Sequence, residues 1–363
     1  MKKVGIITYH FAKNYGAVLQ CYALQTYLSK KGYEVTVFDF VSKKQRKNND
    51  VVKHGHSVKT AVVNICLLPF ARSIRKKHAR FVTFCKKNLH LTQHFSTVES
   101  LQKYIAENKY NVIISGSDQV LNPNIDDFEM AFLYPFQTTA QKIAYAASTG
   151  NASPDDIRKI RCYLDDFLKI SIREQKDIGK FDAEIAARLS VVCDPVMLLR
   201  ADAWNNMLAQ SPGKSYLICY FLHKKLFHEE FAIAKTIAKE RDLELKVINA
   251  RFGLNSFRKG TIFDVGPGEF VNLIANASYV CTDSFHGTIF SLIFHKQFSC
   301  LDTKQNQNDT RKKGLLESVG ALATYQNVED PLKICNTLDY EKIDCQMEEI
   351  RKCAAKFLEI LDE

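Results

Sequence analysis

The segment KVGIITYHFAKNYGAVLQCYALQTYLSKKGYEVTVFD, which runs from Lys3 to Asp39, decides the fold class of this chain. It opens with a short run rich in β-branched residues, Lys3–Thr8, and ends with Glu34–Asp39, where apolar and polar residues alternate as they do in a strand. Between them, Gly16–Leu28 carries apolar residues near helical spacing. A strand, a helix and a second strand within about 40 residues predict a βαβ unit, and hence a parallel sheet with a right-handed crossover.

The same alternation of strands and helices continues along most of the chain. Further strands are predicted at 110–115, 142–147, 168–173, 190–194, 216–221, 244–249, 278–282 and 298–301. Helices are predicted at 101–107, 154–164, 227–239, 269–276, 288–294, 310–318 and 339–361. Residues 42–90 interrupt this rhythm because they are dense in Lys, Arg and His. Their apolar residues at helical spacing predict two or three amphipathic helices inserted into the first domain.

A turn at Ser211–Lys214 separates two series of strands and helices. We therefore predict an N-terminal domain at 1–200 that carries the basic helical insert at 42–90, a C-terminal domain at 210–335 and a final helix at 338–363. Two α/β domains in series predict a cleft between them, and ligands of such folds bind beyond the carboxyl ends of the strands.

The charge and the cysteine content of the chain indicate which kinds of partner and which cellular compartment to expect. Lys and Arg number 50 against 40 Asp and Glu, and the formal net charge of +10 favours phosphorylated metabolites, nucleic acid or acidic lipid as partners. None of the 11 cysteines forms a C-x-x-C pair, so we expect a reducing compartment, no disulfide framework and no metal site. The N-terminal apolar run is too short for a signal peptide, and no uncharged stretch approaches about 18 residues. We therefore expect a cytoplasmic protein without a membrane-spanning helix.

Polar residues cluster directly after the predicted strands. Six such loops occur, at 8–16, 115–119, 147–151, 171–174, 282–287 and 306–311. Each has a structural alternative, since Gly116 and Gly150 can end strands, Asp283 can cap a helix, and Arg173 can pair with Glu174. Six loops at the ligand-binding edge of α/β units together favour a functional site.

His286 stands where a predicted strand gives way to a predicted helix. The N terminus of that helix presents unpaired N–H groups and the positive end of its dipole, which suits an anion. A histidine there titrates near neutral pH and can transfer a proton, and Gly287 would let a ligand approach the backbone. Arg173 and Arg311 offer planar donor groups for a carboxylate or a phosphate. The chain has no Walker P-loop, G-x-G-x-x-G motif or nucleophile elbow, so nucleotide hydrolysis, nicotinamide chemistry and serine hydrolysis have no support.

The order and spacing of these motifs, over roughly residues 3–320, resemble the polysaccharide pyruvyl transferase family. The matching motifs are Asn14–Gly16 with Leu19 and Gln20, Ser115–Gln119, Tyr145–Ser148, Ser171–Glu174, Asp194–Pro195 and Thr282–Gly287. The resemblance implies an α/β fold with two Rossmann-like domains facing a cleft, in the arrangement of the GT-B glycosyltransferases. It also implies transfer of pyruvate from phosphoenolpyruvate onto a sugar of a surface-polysaccharide precursor, with formation of a cyclic ketal and release of phosphate.

Two positions depart from the family pattern. Where some members carry Arg-Leu-His, this chain has Ser284–His286, so either Arg311 or another basic residue substitutes for that arginine, or the donor differs. Leu121 replaces a common tryptophan, whereas the pair Asn122–Pro123 is kept.

The implied reaction gives roles to particular residues. His286 is the expected proton donor or acceptor, and Asp118 or Asp283 would deprotonate or orient an acceptor hydroxyl, or else only cap its loop or helix. The expected donor-binding residues are Arg173, Arg311, Ser284, Gly287 and Thr288. The expected acceptor-binding residues are Asn14, Tyr15, Gln20, Ser115, Ser117, Gln119 and Ser148. No metal is expected, and no cofactor other than phosphoenolpyruvate as co-substrate.

Two alternative functions remain open on the sequence. The first is a GT-B glycosyltransferase that uses a nucleotide-sugar, because the fold does not separate the two activities. The second is a non-enzymatic polyanion-binding protein, suggested by the net charge. In the leading interpretation the acceptor is a sugar or a lipid-linked glycan, and the basic insert Lys43–Lys87 contacts an anionic membrane at its inner face. Nucleic acid is not an expected partner.

Overall fold

The structure is a computed structural model, and it describes residues 1–48, 65, 67–209, 213–223, 227–250, 258–302, 310–328 and 337–362. Predictions that fall on other residues, among them the loop before Thr310 and most of the insert's first half, lie outside the described residues. The chain forms two compact units. The first comprises Met1–His54, Val82–Leu199 and Ile350–Glu363, and the second comprises Gly55–Phe81 and Arg200–Glu349.

The first unit is built on a seven-stranded parallel sheet. Its strands are β1 (Lys3–Ile7), β2 (Glu34–Phe40), β3 (Leu91–Phe95), β4 (Val112–Ser115), β5 (Gln141–Ala147), β6 (Phe167–Ile172) and β7 (Leu189–Val191). Their order across the sheet is β3-β2-β1-β4-β5-β6-β7. The βαβ prediction for the N-terminal segment is confirmed, because β1 pairs with β2 in parallel and Val4 lies opposite Val35.

The second unit is built on a six-stranded parallel sheet. Its strands are β8 (Tyr216–Tyr220), β9 (Glu244–Ile248), β10 (Thr261–Ile262), β11 (Tyr279–Thr282), β12 (Gln297–Asp302) and β13 (Tyr325–Asn327). Their order is β10-β9-β8-β11-β12-β13, which is the Rossmann order. The prediction of an α/β fold with two Rossmann-like domains is therefore confirmed.

Helices connect the strands, as parallel sheets require. They are α1 (Tyr15–Lys30), α2 (Lys43–Asn48), α3 (Ala71–Asn88), α4 (Val98–Asn108), α5 (Pro154–Leu164), α6 (Ala183–Ala186), α7 (Pro195–Leu198), α8 (Phe227–Glu240), α9 (Pro267–Ala275), α10 (Phe285–Ile293), α11 (Thr310–Ser318) and α12 (Tyr340–Leu358). Short 3₁₀ segments lie at Leu68–Phe70, Met130–Leu133, Gln175–Lys180, Ala201–Met207, Leu322–Thr324 and Glu359–Leu361. Among the described residues, no helix is both long enough and apolar enough to cross a membrane.

The start of α10 corrects one prediction about His286. The helix begins at Phe285 rather than near Thr288, because the side chain of Ser284 caps it by accepting a hydrogen bond from the N–H of Gly287 at 3.3 Å. His286 therefore lies within the first turn of the helix and not ahead of it.

The basic insert contributes to the second unit. In α3, the Lys77 ammonium donates a hydrogen bond to the carbonyl of Asn249 at 2.7 Å, and Arg80 donates one to the carbonyl of Asp264 at 2.6 Å. These contacts, together with the ion pair of Lys76 and Asp264, account for the grouping of this part of α3 with the second unit.

Each sheet has a point where the direction of chain progression reverses. In the first sheet this point lies between β1 and β4, and in the second it lies between β8 and β11. Ligands of open parallel sheets bind outside the carboxyl ends of the strands at such a reversal. The loops that follow these four strands are therefore the first place to look for a site.

Candidate active site

In the second unit, the carboxyl ends of β8 and β11 lie side by side. Tyr220 and Thr282 are opposite each other in the parallel register, so the residues that follow them emerge at the same edge. After β8 come Leu222 and His223, and after β11 comes the loop that opens α10. We call this region the second-sheet edge.

Asp283, which follows β11, is fixed by two backbone N–H groups that follow β8. Its Oδ1 accepts a hydrogen bond from the N–H of Leu222 at 2.7 Å, and its Oδ2 accepts one from the N–H of His223 at 2.7 Å. The same Oδ2 lies 2.9 Å from Nδ1 of His223, and the carboxylate is fully buried. Because its oxygens are already engaged, Asp283 is placed to orient His223, and its suggested role toward an acceptor hydroxyl stays a prediction.

His223 is a strongly basic histidine at this edge. The hydrogen bond to Asp283, followed by that to Glu230, raises its pKa to about 10, while burial acts in the opposite direction. About a third of the side chain, 34%, is exposed. At neutral pH the ring is therefore an imidazolium that faces solvent in part.

Glu230 on α8 completes this group of charges. Its carboxylate is fully buried, with Oε1 at 3.9 Å from Nδ1 of His223. Burial is the main cause that raises its pKa to about 7. The ligand atoms of His223, Glu230 and Asp283 lie within 4.8 Å of one another, as in a cation site. A metal would have to displace the proton that Asp283 holds on His223.

Lys312 ties the edge to its neighbouring helix. This buried ammonium on α11 donates hydrogen bonds to the carbonyls of Asp283 at 2.9 Å and Leu301 at 3.0 Å, and it lies 3.1 Å from Oδ2 of Asp302. Arg311, the preceding residue, is half-buried, and the structure does not assign it a ligand role.

The residues that open α10 are largely hydrogen-bonded to one another. The N–H of Ser284 donates to the hydroxyl of Thr282 at 3.1 Å, and the hydroxyl of Thr288 donates to the carbonyl of Ser284 at 3.0 Å. A Cβ at Gly287 would lie 2.4 Å from Oγ1 of Thr282, so packing against the strand end is by itself a reason for glycine there. The donor-binding roles of Ser284, Gly287 and Thr288 stay predictions. His286 is half-buried, and its ring meets that of Phe285 edge-on at 5.5 Å.

At the first sheet's edge, the structure brings several predicted acceptor residues together. Gln20 Nε2 donates to the hydroxyl of Thr8 at 2.9 Å, and that hydroxyl donates to the carbonyl of Ser117 at 2.8 Å. The side chain of Ser117 donates to the carbonyl of Ala146 at 2.7 Å. Gln20, Ser115, Ser117 and Ser148 are all fully buried, so they build the loop rather than line its surface.

Of the remaining residues predicted to act on the acceptor, some cap or pack against a helix and others reach solvent in part. Asn14 caps α1 by accepting a hydrogen bond from the N–H of Gly16 at 2.9 Å, and Tyr15 is buried behind it. Asp118 and Gln119 are half-buried, and Asp118 has a left-handed backbone with φ of 72°. Asp118 and Gln119 are thus the predicted side chains of the loop after β4 that reach solvent in part.

Arg173 lies in a buried ion-pair network. Its Nε lies 2.8 Å from Oε1 of Glu174 and its Nη1 lies 2.8 Å from Oδ2 of Asp194, with only 4% of its side chain exposed. Asp194 also caps α7 by accepting from the N–H of Val196 at 3.0 Å. The structure thus gives Arg173 a structural role, and contact with a donor stays a prediction.

Sequence reasoning missed two charged groups at strand ends. His223 lies in the loop just after β8, and this position was the available signal, but its pairing with Glu230 and Asp283 does not show in the sequence. At the carboxyl ends of β1 and β2, His10 Nε2 lies 3.0 Å from Oδ1 of Asp39. Although burial acts to raise it, the pKa of Asp39 is lowered by His10 and then by His94.

Comparisons with known proteins agree with this architecture. A putative UDP-N-acetylglucosamine 2-epimerase from Listeria monocytogenes superposes with a TM-score of 0.55 and 11% identity, over 99% of this chain and 95% of the other. The UDP-GlcNAc 2-epimerase from Neisseria meningitidis, solved bound to UDP-GlcNAc, has a TM-score of 0.55 and 10% identity over 99% of both chains. The enzyme from Rickettsia bellii has a TM-score of 0.54 and 11% identity, over 99% of this chain and 96% of the other. At these identities the likeness establishes the GT-B type of fold and nothing further.

Sequence comparison assigns the family. No curated protein matches the chain significantly. The family model described as polysaccharide pyruvyl transferase matches residues 14–305, which make up most of the chain. The chain therefore belongs to the polysaccharide pyruvyl transferase family and is an enzyme of the transferase class.

Proposed function

We propose that this enzyme transfers pyruvate from phosphoenolpyruvate to a sugar of a surface-polysaccharide precursor and forms a cyclic ketal with release of phosphate. Family membership supports the pyruvyl group and the glycan acceptor. The observation that supports phosphoenolpyruvate as the donor is the set of charged groups at the second-sheet edge. There the N terminus of α10, with His286 in its first turn, adjoins the protonated His223. A helix N terminus and an imidazolium both favour a compact anion.

The chemistry needs one proton relay. A proton is added to the methylene carbon of phosphoenolpyruvate, which becomes the ketal methyl group, and a first sugar hydroxyl bonds to C2 and loses its proton. The C2–O bond to phosphate then breaks, a second hydroxyl bonds to C2, and its proton leaves with the phosphate. We assign the proton transfer to His286, because an imidazole can both give and take a proton and this one lies at the N terminus of α10.

The acceptor hydroxyl needs a group that orients it. In this proposal Asp118 has that role, since its side chain is half-buried at the carboxyl end of β4 whereas the carboxylate of Asp283 is fully buried and engaged with His223. The left-handed backbone of Asp118 is uncommon outside glycine, and such conformations concentrate at functional sites.

The decisive experiment incubates the protein with phosphoenolpyruvate and a panel of aryl and lipid-linked glycosides. We expect one glycoside to gain a ketal-linked pyruvate by mass spectrometry, with one phosphate released for each pyruvate transferred. Phosphate release without a modified glycoside, or no reaction across the panel, would count against the proposal.

A nucleotide-sugar glycosyltransferase is the second candidate. It is retained because the GT-B type of fold, shared with the Neisseria meningitidis enzyme that was solved with UDP-GlcNAc, does not separate the two activities. The family match favours the first candidate. Release of nucleoside diphosphate from a nucleotide-sugar in the same assay, with phosphoenolpyruvate inert, would select the second.

We also propose that the acceptor is attached to an anionic membrane and that the basic insert contacts this membrane. The helix α3 exposes Arg72, Arg75, Lys86 and Lys87. Near its start, 67% of Leu68 and 64% of Ile65 are exposed. Exposed apolar side chains beside basic residues are the composition of interfacial segments.

A further inference from the structure

His223 is a charged group at the second-sheet edge, and the proposed function does not say which part of the donor it contacts. It follows β8, the strand that pairs with β11, and so lies at the point where the second sheet reverses direction. Dinucleotide and phosphate ligands of Rossmann-like sheets bind at this point, beside the N terminus of the helix that follows the strand.

The carboxylate of Asp283 holds the ring of His223 in one orientation. Asp283 Oδ2 lies 2.9 Å from Nδ1. Asp283 is itself immobilised by the N–H groups of Leu222 and His223, at 2.7 Å each. The next residue, Ser284, caps α10. The same short loop thus fixes both the imidazolium and the helix N terminus.

Three other charged groups face this histidine. Asp283 and Glu230 are the carboxylates, and Lys312 is the ammonium. Lys312 is 2% exposed and is engaged with Asp302 and two carbonyls, so it neutralises the buried interior rather than serving a ligand. His223 has 34% of its side chain exposed and is thus the more accessible of these two cations.

We propose that the His223–Asp283 pair is the cationic element that binds the phosphate group of the donor, an inference that rests on the proposed function. Asp283 acts as a positioning residue, and His223 contacts the phosphate. A cation is the competing occupant of the same group of side chains, and the two occupants demand opposite protonation states of the ring.

The test measures binding of phosphoenolpyruvate and of inorganic phosphate by calorimetry, at pH 8 and pH 6. The variants are His223→Gln, which removes the charge, and Asp283→Asn, which removes the group that retains it. The matched control is His295→Gln. His295 follows the other end of α10 and is also paired with a carboxylate, at 3.0 Å from Oδ1 of Asp344. Thermal unfolding of each variant establishes that it is folded.

The two variants should differ in a way that a structural role would not produce. His223→Gln should lower the affinity for both anions roughly tenfold to a hundredfold at both pH values, because a charge-assisted hydrogen bond is lost. In Asp283→Asn, the first of the two carboxylates that raise the pKa of His223 is lost while Glu230 remains, so the pKa should fall and the loss of anion binding should be larger at pH 8 than at pH 6. His295→Gln should bind as the wild type does.

Each other outcome contradicts a defined part of the argument. Normal anion binding by His223→Gln would overturn this inference and leave the proposed function standing. If the wild type binds phosphate but not phosphoenolpyruvate, the anion site stands and the proposal that phosphoenolpyruvate is the donor is wrong. If the wild type binds neither anion but binds Mn²⁺ or Zn²⁺ through His223, the site takes a cation and the inference is wrong.

Discussion

Asp283 Oδ2 and His223 Nδ1 lie 2.9 Å apart across the ends of two adjacent parallel strands, and Glu230 lies behind them. Because the hydrogen bond to Asp283 raises the pKa of His223 to about 10, the ring stays protonated throughout the neutral range. This pair therefore links the stability of the fold to pH.

Replacement of His223 by Gln should reduce the free energy of unfolding in a pH-dependent way. The folded pKa lies above the ordinary value for histidine, so the stabilisation is fully present below about pH 6.5 and is lost as the pH rises through 10. Urea unfolding of wild type and variant between pH 6 and pH 10 should show a difference that shrinks with rising pH. A difference that is constant over this range would show that the charge of His223 contributes nothing.

Replacement of His286 by Asn should remove activity and spare the fold. Asparagine keeps a hydrogen-bonding group of similar size but cannot act as a general acid or base, so turnover should fall by about 10²-fold or more. The melting temperature should stay nearly unchanged, since the His286 ring is half-buried at the start of α10. The control His295→Asn should retain turnover. A large loss of stability with activity per folded molecule preserved would make His286 a packing residue.

Replacement of Arg173 by Met should destabilise the first unit. The change leaves the carboxylates of Glu174 and Asp194 without their buried cation, and loss of one partner from a buried ion pair costs about 3–5 kcal/mol. The matched control is Arg200→Met, since Arg200 is 66% exposed beside Glu348 and should contribute about 0–1 kcal/mol. Denaturant unfolding measures both. Unchanged stability with weakened donor binding would restore Arg173 to the donor site.

Replacement of Arg311 by Lys should weaken phosphoenolpyruvate binding roughly tenfold. A lysine keeps the charge but does not make the planar, two-bond contact that a carboxylate or phosphate accepts from arginine. Calorimetry compares it with Lys313→Arg, a change two residues further along α11 at a side chain that is 51% exposed. Equal donor affinities in Arg311→Lys and the wild type would remove Arg311 from the donor site.

Removal of charge from α3 should weaken attachment to anionic vesicles. The double variant Arg72→Gln/Arg75→Gln loses two exposed cations, each worth about 1 kcal/mol near an anionic surface, so binding should drop roughly tenfold or more. The control is Arg158→Gln/Lys159→Gln on α5, where the side chains are 70% and 67% exposed. Co-sedimentation with phosphatidylserine vesicles at low and high salt measures the effect. Equal binding to neutral vesicles would remove the electrostatic component.

Most strands were predictable because a strand covered on both faces reads as a continuous apolar run. Ile113 and Ile114 in β4 and Val280 in β11 are fully buried, and each lies in such a run. The edge strand β3, with the sequence LTQHF, was missed because its central residues are polar and exposed. The start of α10 was misplaced because Gly287 lies inside its first turn, where glycine lowers helix propensity and hides the cap at Ser284.

The location of the candidate site at the carboxyl ends of the strands was predictable from the sequence, but the pairing of its side chains was not. The sequence pattern placed Asp283 and Asp118 after strand ends, and the structure agrees, whereas His286 lies in the first turn of α10. That Asp283 orients His223 depends on the pairing of β8 with β11, which residue spacing does not reveal. That Arg173 is buried between two carboxylates follows likewise from the packing of distant segments.

The buried ammonium of Lys312 makes α11 and the loop before α10 a single mechanical element. One side chain bonds the carbonyl of Asp283, the carbonyl of Leu301 and the carboxylate of Asp302. Loss of the Lys312 ammonium would leave all three of these oxygens without this donor, and with them the backbone of Asp283, the residue that sets the charge of His223.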